Sequence, residues 1–189
     1  MNLEKIYAVG KLNFNIDEII KRGERQLFKT ANQKHPNGTS FRNSNVTWIK
    51  DWPELEHHVV NRIKPVNEKF WKFNLIKFEP FQYSIYNEGD YYDWHSDQHP
   101  KQYADGMVRK LTFSLALTDD YEGGEFECAV LSGAKKDKPD VKVFNVNEIE
   151  NFSKGTMVVF PSFLWHRVKP ITKGVRKALQ GWAVGKNFV

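Results

Sequence analysis

The feature that most constrains the fold of this chain is a change of pattern at residue 74. From there on, short runs rich in β-branched and aromatic residues alternate with clusters of Gly, Pro, Asp and Asn. Such alternation is typical of antiparallel sandwiches and barrels, whose short strands are joined by turns. The predicted strands are 74–78, 82–87, 111–117, 125–131, 141–144, 157–161, 165–169 and 175–184. We therefore expect a mainly β fold, a sandwich or barrel, with supporting α-helices.

The N-terminal third has a different pattern. Apolar residues recur at helical spacing in two segments, which predicts helices over 15–32 and 53–72. Asn15 or Asp17 is a suitable cap for the first helix. Pro65 is expected to break or kink the second, because proline lacks the amide proton that an interior helical turn uses. Residues 33–47 are rich in turn formers and predict a loop.

Length and composition indicate a single domain. The 189 residues, 40% of them hydrophobic, suffice for one ordinary core, and no linker or repeat interrupts the chain. We expect one domain over 1–189, with helical N-terminal support over 1–73 and the β core over 74–185. The segment 132–140 is polar and basic and predicts an exposed hairpin loop.

The sequence also predicts where the protein resides. No stretch approaches the roughly 20 apolar residues of a membrane span. The N-terminal MNLEKIYAVGKLNF lacks the apolar run of a signal peptide. The single cysteine, Cys128, excludes an intramolecular disulfide and is interpreted as a small buried hydrophobe. These features predict a cytoplasmic protein without a membrane partner.

Charge is distributed unevenly along the chain. The formal net charge is +5, and no acidic residue follows Glu150, although seven lysines and arginines do. A basic field of this kind attracts anionic ligands or nucleic acid. The alternative interpretation is a solvated basic surface.

Three side chains have the spacing of a metal site. His95 and Asp97 are two residues apart, so on an extended chain they point to the same side. His166 follows 69 residues after Asp97. Two histidines and one carboxylate form the facial triad of non-haem Fe(II) oxygenases, which leaves open positions for a cosubstrate and dioxygen. A turn-stabilising pair is the alternative for His95 and Asp97, and His35, His57, His58 and His99 are competing histidines.

Arg176, ten residues after His166, supplies a possible anion site. Its planar guanidinium suits bidentate binding of a carboxylate. Trp182 lies six residues further on and shares a strand face with Arg176. An inward arginine needs an anion, because burying an unpaired charge is costly. The alternative for Arg176 is a solvated charge beside Lys177.

These residues, taken with their flanks, resemble the 2-oxoglutarate/Fe(II)-dependent dioxygenase superfamily, in its prolyl 4-hydroxylase-like, PKHD-type branch. The matching stretches are FQYSIYNEGDYYDWHSD, RKLTFSLALTDDYEGGEFE, GTMVVFPSFLWHRVKPITKGVRKALQGW and, more loosely, WKFNLIKFEP. They cover roughly residues 71–183. The resemblance implies a double-stranded β-helix, or jelly roll.

The resemblance also implies roles for individual residues. His95, Asp97 and His166 would hold iron, and Arg176 and Tyr86 would bind 2-oxoglutarate. Tyr92 and Trp182 match aromatic positions close to the metal and substrate and are expected in the catalytic site. Arg109 and Glu79 match positions near the substrate groove in some relatives, although a surface salt bridge is their alternative.

The activity implied is hydroxylation of an unactivated C–H bond, in a prolyl residue of a protein or peptide. The cofactors implied are Fe(II), 2-oxoglutarate and dioxygen, with ascorbate in support. One alternative is a nucleic-acid demethylase of the AlkB type. Those enzymes typically carry a second arginine six residues after the first, where this chain has Trp182. Another alternative is a non-catalytic jelly-roll binding module.

Overall fold

Two antiparallel sheets face each other in the computed structural model, and helices cover one of them. The structure describes residues 6–34, 38–98, 103, 105–135, 138–147 and 152–187, with the backbone alone for 132–135 and 138–139. The helices are α1 (Ile16–Glu24) and α2 (Pro53–Phe70).

The larger sheet forms one wall of the fold. Its path is β1-β13-β9-β16-β7-β5-β2, and β6 pairs with β16. These strands are β1 (Ala8–Lys11), β2 (Lys29–Thr30), β5 (Asn45–Ile49), β6 (Lys77–Phe78), β7 (Phe81–Tyr86), β9 (Met107–Ala116), β13 (Thr156–Pro161) and β16 (Arg176–Lys186). We call it the major sheet.

The second wall is a six-stranded sheet with the path β12-β11-β14-β8-β4-β3. Its strands are β3 (Gln33–Lys34), β4 (Ser40–Asn43), β8 (Tyr91–His95), β11 (Phe126–Lys135), β12 (Lys138–Asn145) and β14 (Trp165–Val168). We call it the minor sheet. A two-stranded ribbon joins β10 (Glu122–Gly123) to β15 (Ile171–Lys173).

Successive residues of the strands in the major sheet point alternately to two hydrophobic cores, one on each face of the sheet. On β7, Phe81 and Tyr83 belong to a cluster that includes buried residues of α2, whereas Tyr86 belongs to the cluster between the sheets. Successive strand residues point to opposite faces, so one face of the major sheet packs on the helices. The other face, with Gln82, Ser84 and Tyr86, is free to line an interior cavity.

The two helices are amphipathic supports. In α2, Leu55, Val59, Ile63 and Val66 are buried, at the steps of three and four that the sequence shows. In α1, the Asn15 side chain accepts hydrogen bonds from the Asp17 and Glu18 amides, at 3.1 and 3.3 Å, and caps the helix. Neither helix is long and apolar enough to cross a membrane, over the residues that the structure describes.

Several N-terminal predictions were wrong. Helix α1 ends at Glu24, eight residues before the predicted end of the segment 15–32, and Leu27 beyond it is 94% exposed. A Cβ at Gly23 would lie 2.5 Å from the Tyr83 ring, so this glycine permits the close approach of helix and sheet and also weakens the last helical turn. Helix α2 continues through Pro65 to Phe70.

The predicted loop over 33–47 was also wrong, because it contains β3, β4 and the start of β5. Pairing with β8 and β7, whose sequences are strongly β-forming, overrides the turn-rich composition of this segment. The helical support predicted over 1–73 therefore also supplies five strands. Within the predicted hairpin loop, 132–140, β11 and β12 extend as paired strands to Lys135 and Lys138, and the connecting residues lie outside the described ranges.

The eight predicted strands of the core are all present, with shifted ends. The segment 74–78 shortens to two residues, Lys77 and Phe78, whereas β9 begins four residues before its predicted start. The mainly β fold with supporting helices is confirmed, and Cys128 is fully buried, as expected.

Candidate active site

The predicted metal ligands meet between the sheets. His95 ends β8, and His166 lies directly opposite it on β14. One ligand atom from each of His95, Asp97 and His166 lies within 4.8 Å of the others. Asp97 Oδ1 is 3.9 Å from His95 Nε2, and Asp97 Oδ2 is 3.5 Å from His166 Nε2. These separations suit three side chains around one first-row metal ion.

Backbone carbonyls orient both imidazoles. His95 Nδ1 lies 2.7 Å from the Asp93 carbonyl oxygen, and His166 Nδ1 lies 2.9 Å from that of Leu164. A carbonyl only accepts, so each Nδ1 must carry the proton and donate it. In the neutral rings, each Nε2 is left with a free lone pair that faces the other ligands, which is the tautomer that a metal requires.

The Asp97 carboxylate is held by hydroxyl groups. Thr112 Oγ1 donates to Asp97 Oδ2 at 2.9 Å and lies 3.0 Å from Ser162 Oγ. Because the single Thr112 hydroxyl proton goes to the carboxylate, the Ser162 hydroxyl donates to Thr112. The Asp97 amide in turn donates to the Ser162 carbonyl at 2.9 Å. Thr112 and Ser162 thus fix the direction in which Asp97 points.

Burial and neighbouring charge keep the ligands in metal-binding protonation states. Burial, reinforced by the adjacent His166, lowers the pKa of His95 to about 3, so this imidazole is neutral at ordinary pH. Burial opposes ionisation of Asp97, but His166, His95 and Arg109 together hold the pKa of this carboxyl below its usual value. The site therefore presents a neutral His95 nitrogen beside an anionic Asp97 oxygen.

A bulge in β8 places two aromatic rings on the interior side. Tyr92 pairs with Val168 and His95 with His166, so the register shifts by one residue between them. As a result Tyr92 and His95 both face inward, and their rings stack at 3.5 Å with an interplanar angle of 10°. The Tyr92 hydroxyl donates to Gln33 Oε1 at 3.2 Å. Tyr92 therefore fixes the plane of the His95 ring.

A cavity of about 460 Å³ opens beside these ligands. Its lining from the major sheet includes Gln82, Tyr86, Thr112, Ser114, Gln180 and Trp182, and from the minor sheet Arg42, Tyr92, Phe126 and Val168. On the major-sheet wall, the Ser84 hydroxyl donates to Gln180 Oε1 at 2.8 Å. The cavity is within the size range of small-molecule sites.

The guanidinium of Arg176 is suited to bind an anion. It is 1% exposed, and neither terminal guanidinium nitrogen has a hydrogen-bond partner among the described residues. Its Cζ lies 5.3 Å from the centroid of the Tyr86 ring, which does line the cavity, whereas Arg176 is not among the lining residues. A buried guanidinium without partners is costly, so this one fits a bound carboxylate.

Trp182 forms part of the cavity wall. Its indole is 5% exposed, and the ring stacks against the Arg109 guanidinium, with 3.8 Å between Arg109 Cζ and the ring centroid. The indole N–H makes no well-aligned hydrogen bond within the described residues, although it is close enough to Asp97 to help lower the pKa of that carboxyl. Its donor therefore remains available to a ligand.

Arg109 and Glu79 are an ion pair beside the cavity. Arg109 donates to both Glu79 carboxylate oxygens, at 3.0 and 2.7 Å, and Tyr103 donates to Glu79 at 2.7 Å. Both side chains are about five-sixths buried. The pair is therefore a salt bridge that lies largely below the surface, and Arg109 also lines the cavity.

Arg42 is a site residue that the sequence reading missed. It is 5% exposed, lines the cavity and lies over Tyr92, with Cζ 4.5 Å from the ring centroid. Its Nε donates to Ser44 at 2.9 Å, while one terminal nitrogen has no partner in the described part of the chain. The alternation of Arg42 and Ser44 was a possible signal, but it lay in a segment predicted as loop.

Two of the other candidate histidines, His57 and His58, lie away from the triad. His57 and His58 lie on α2 and interact with each other's rings. His35 and His99 lie outside the described residues. Of the aromatic residues predicted to pack, Tyr83 is fully buried against the helices.

Comparison with known proteins agrees with this geometry. The family model of the 2OG-Fe(II) oxygenase superfamily matches residues 81–184, more than half of the chain. This chain belongs to the 2OG-Fe(II) oxygenase superfamily. That membership implies Fe(II), 2-oxoglutarate and dioxygen as cofactors.

Curated relatives are PKHD-type hydroxylases. One from Hyphomonas neptunium is 34% identical over 110 residues, which cover 57% of this chain and 43% of the relative. One from Synechococcus sp. strain CC9902 is 34% identical over 96 residues, 50% of this chain and 36% of the relative. The chain spans less than half the length of these relatives.

Solved structures share the fold. A viral collagen prolyl hydroxylase from Paramecium bursaria Chlorella virus-1, complexed with 2OG, superposes with a TM-score of 0.64 at 19% identity, covering 96% of this chain and 97% of that one. A Pseudomonas putida prolyl-4-hydroxylase gives 0.64 at 16% identity, covering 96% and 94%. A prolyl hydroxylase from Trichoplax adhaerens, with a hypoxia inducible factor peptide fragment, gives 0.64 at 16% identity, covering 94% and 83%. The jelly-roll fold is therefore confirmed.

The residues of this chain fit the family's cofactors. Both imidazole Nε2 atoms and the Asp97 carboxylate converge, which suits Fe(II). The unpartnered Arg176 guanidinium suits the distal carboxylate of 2-oxoglutarate. This second observation distinguishes the site from a bare metal cluster, because a metal alone would leave Arg176 unsatisfied.

Proposed function

We propose that this chain is a 2-oxoglutarate- and Fe(II)-dependent hydroxylase that acts on a prolyl residue in a protein or peptide. The observation that carries the proposal is the pairing of the His95–Asp97–His166 cluster with a fully buried, unpartnered arginine in one jelly roll. A structural domain or simple binding module has no evident use for that combination.

Each residue has a definite role in the proposal. His95, Asp97 and His166 hold the iron, and the carbonyls of Asp93 and Leu164 keep both rings in the ligating tautomer. When bound, the iron activates dioxygen and couples decarboxylation of 2-oxoglutarate to succinate with hydroxylation of the substrate.

The cosubstrate pocket lies around Tyr86 and Arg176. Arg176 binds the distal carboxylate, and its burial makes the charge-assisted hydrogen bonds stronger than they would be in water. Tyr86, its cross-strand neighbour, provides a phenolic hydroxyl at the cavity wall. Apolar Phe126 and Val168 line the same cavity and help to exclude water.

The substrate end of the cavity is formed by Tyr92, Trp182 and Arg42. All three line the cavity, and Trp182 and Arg42 each carry a hydrogen-bond donor without a partner among the described residues. Peptide carbonyls are acceptors that such donors can satisfy. Burial raises the pKa of Tyr92, so its hydroxyl stays protonated and remains a donor.

The choice of a prolyl target is supported by the relatives. Three structures with the same fold are prolyl hydroxylases by name, and one holds a peptide fragment. Two aromatic side chains line the cavity from facing sheets, Tyr92 and Trp182, and suit a compact apolar ring. Nucleic-acid demethylation has weaker support, because Trp182 occupies the position of the second arginine.

The proposal is tested by mass spectrometry of proline-containing peptides and candidate proteins incubated with the enzyme, Fe(II), ascorbate and 2-oxoglutarate. We expect a mass gain of one oxygen atom on proline, with stoichiometric succinate release. The His166→Ala variant is the control and should give neither product. Oxygen transfer to another residue type would refute the prolyl assignment, and demethylation of methylated single-stranded DNA would favour the nucleic-acid alternative.

A further inference from the structure

An exposed apolar groove lies on the outer face of the minor sheet, opposite to the metal cavity. It encloses about 380 Å³. Its lining includes Trp94, Ala129, Leu131, Val141, Val143 and Trp165. We call this surface the outer groove. None of its described lining residues carries a charge.

Strand register assembles the outer groove. Ala129 lies opposite Trp165 on one side and Val143 on the other, and Leu131 lies opposite Val141. Residues directly opposite on neighbouring strands point to the same face, so these side chains form a continuous strip. The strip crosses three neighbouring strands, β14, β11 and β12.

Exposure distinguishes this strip from ordinary surface. Leu131 is 75% exposed, Trp165 54%, Val141 51% and Val143 48%. Single exposed apolar residues are common, but a contiguous set marks a binding surface. Tryptophan is also the residue type most enriched among those that dominate binding energy.

The outer groove and the metal cavity meet at two shared residues. Trp94 and Trp165 line both of them. Each immediately precedes a metal ligand, His95 and His166 respectively. The two tryptophans therefore form a shared rim, with the metal site on one side and the groove on the other.

We propose that the outer groove binds an apolar side chain of the polypeptide substrate, a few residues away from the residue that enters the cavity. The inference rests on the proposed function and adds a specificity determinant to it. An extended polypeptide suits this layout because it can cross the rim and place separate side chains on its two sides. Neighbouring strands are about 4.8 Å apart, and extended chain advances about 3.3 Å per residue. From β14 to β12 is two such spacings, which an extended chain crosses in about three residues. Passing from the cavity over the rim adds to this, so the apolar residue should lie about three to five residues from the target.

Local charge favours an apolar residue over an acidic one. Arg167 lies beside the rim, with Cζ 4.6 Å from the Trp94 ring centroid. It is already paired, because its Nε donates to Glu127 at 2.7 Å. The groove therefore offers hydrophobic contact without a free cation among the residues described around it.

The test uses synthetic peptides with one proline and one leucine, separated by one to seven serines on either side. For wild type, kcat/KM for hydroxylation should rise about tenfold at one separation within the expected range, relative to the peptide without leucine. Leu131→Asp should abolish this preference, as should Val143→Asp. Both side chains are largely exposed and do not line the metal cavity, so 2-oxoglutarate affinity should be unchanged. Ile76→Asp, at another exposed apolar residue, is the matched control and should keep the preference.

A binding measurement separates this inference from the proposed function. Fluorescently labelled peptides are titrated into the Mn(II)-loaded protein with 2-oxoglutarate and without oxygen. One outcome is binding that depends on the leucine and is lost in Leu131→Asp, while no peptide is hydroxylated. That outcome would support the proposed role of the outer groove and refute the proposed prolyl hydroxylase activity. Hydroxylation without leucine preference would refute the groove alone, and absence of both binding and hydroxylation would also refute it. A further outcome is that sedimentation shows the wild type to be a dimer and Leu131→Asp to be a monomer. In that case the outer groove binds a second copy of this chain, and the proposal is overturned.

Discussion

Replacing Arg176 by methionine tests the cosubstrate site most informatively. The guanidinium is fully buried, and both of its terminal nitrogens lack partners among the described residues. A bound carboxylate would satisfy both through charge-assisted hydrogen bonds, each worth roughly 1.5–3 kcal/mol. Since about 1.4 kcal/mol is one decade in affinity, Arg176→Met should weaken 2-oxoglutarate binding at least about tenfold.

The assay measures the KM for 2-oxoglutarate by succinate release, together with binding to the Mn(II)-loaded protein by calorimetry. Arg176→Lys should recover part of the loss, because lysine keeps the charge but not the planar fork. Lys177→Met is the matched control. It removes the next cation along the strand, which pairs with Glu24 at 2.6 Å, and should leave 2-oxoglutarate binding intact.

Thermal unfolding gives a second readout. Without 2-oxoglutarate, Arg176→Met should be at least as stable as wild type, because it removes a buried charge that has no partner. With 2-oxoglutarate, Tm should rise for wild type and hardly change for the variant, since the ligand stabilises only the protein that binds it. An unchanged 2-oxoglutarate KM in Arg176→Met would refute the reasoning.

Three further predictions concern the residues around the metal. Thr112→Val removes the hydrogen bond to Asp97 Oδ2 and should weaken Fe(II) binding about tenfold, measured by anaerobic titration; unaltered affinity would contradict an orienting role. Arg42→Met should raise KM for a peptide substrate while leaving KM for 2-oxoglutarate unchanged, and the opposite pattern would place Arg42 in the cosubstrate site. In the metal-free protein, the depressed pKa of His95 means that the unfolded state binds more protons than the folded state below about pH 6.5. The free energy of unfolding should therefore fall as the pH is lowered from 6.5 to 4, by at most about 1.4 kcal/mol per pH unit. Urea titrations of His95→Gln should show a weaker dependence of this free energy on pH.

Much of the fold could be predicted because the core strands carry local signals. The eight segments predicted from residue 74 onward all form strands, since alternating side chains and turn residues mark them. The N-terminal strands could not be predicted in this way. Strand β4 forms because β8 provides a partner, and the chain beyond α1 forms β2 because β5 provides a partner. Both effects depend on tertiary contacts that no local pattern shows.

The residues of the site also fall into those that the sequence predicts and those that only tertiary contacts define. The His95–Asp97 spacing is local. The distant His166 and Arg176 were predicted from side-chain chemistry together with the family resemblance, and the structure places them in the same jelly roll. The inward position of Tyr92 beside His95 depends on a bulge that cross-strand pairing creates. The role of Thr112 depends on a contact across 15 residues of sequence. Such contacts become visible only when the sheets are assembled.

The central claim is that His95, Asp97 and His166 together hold one iron ion. Anaerobic titration with Fe(II), followed by metal analysis of the separated protein, measures this directly. Wild type should bind one Fe(II) per chain, and alanine at any of the three positions should abolish stable binding. His57→Ala, on the exposed side of α2, and His99→Ala should keep it. Full iron binding in a triad variant, or loss of iron in His99→Ala, would contradict the assignment.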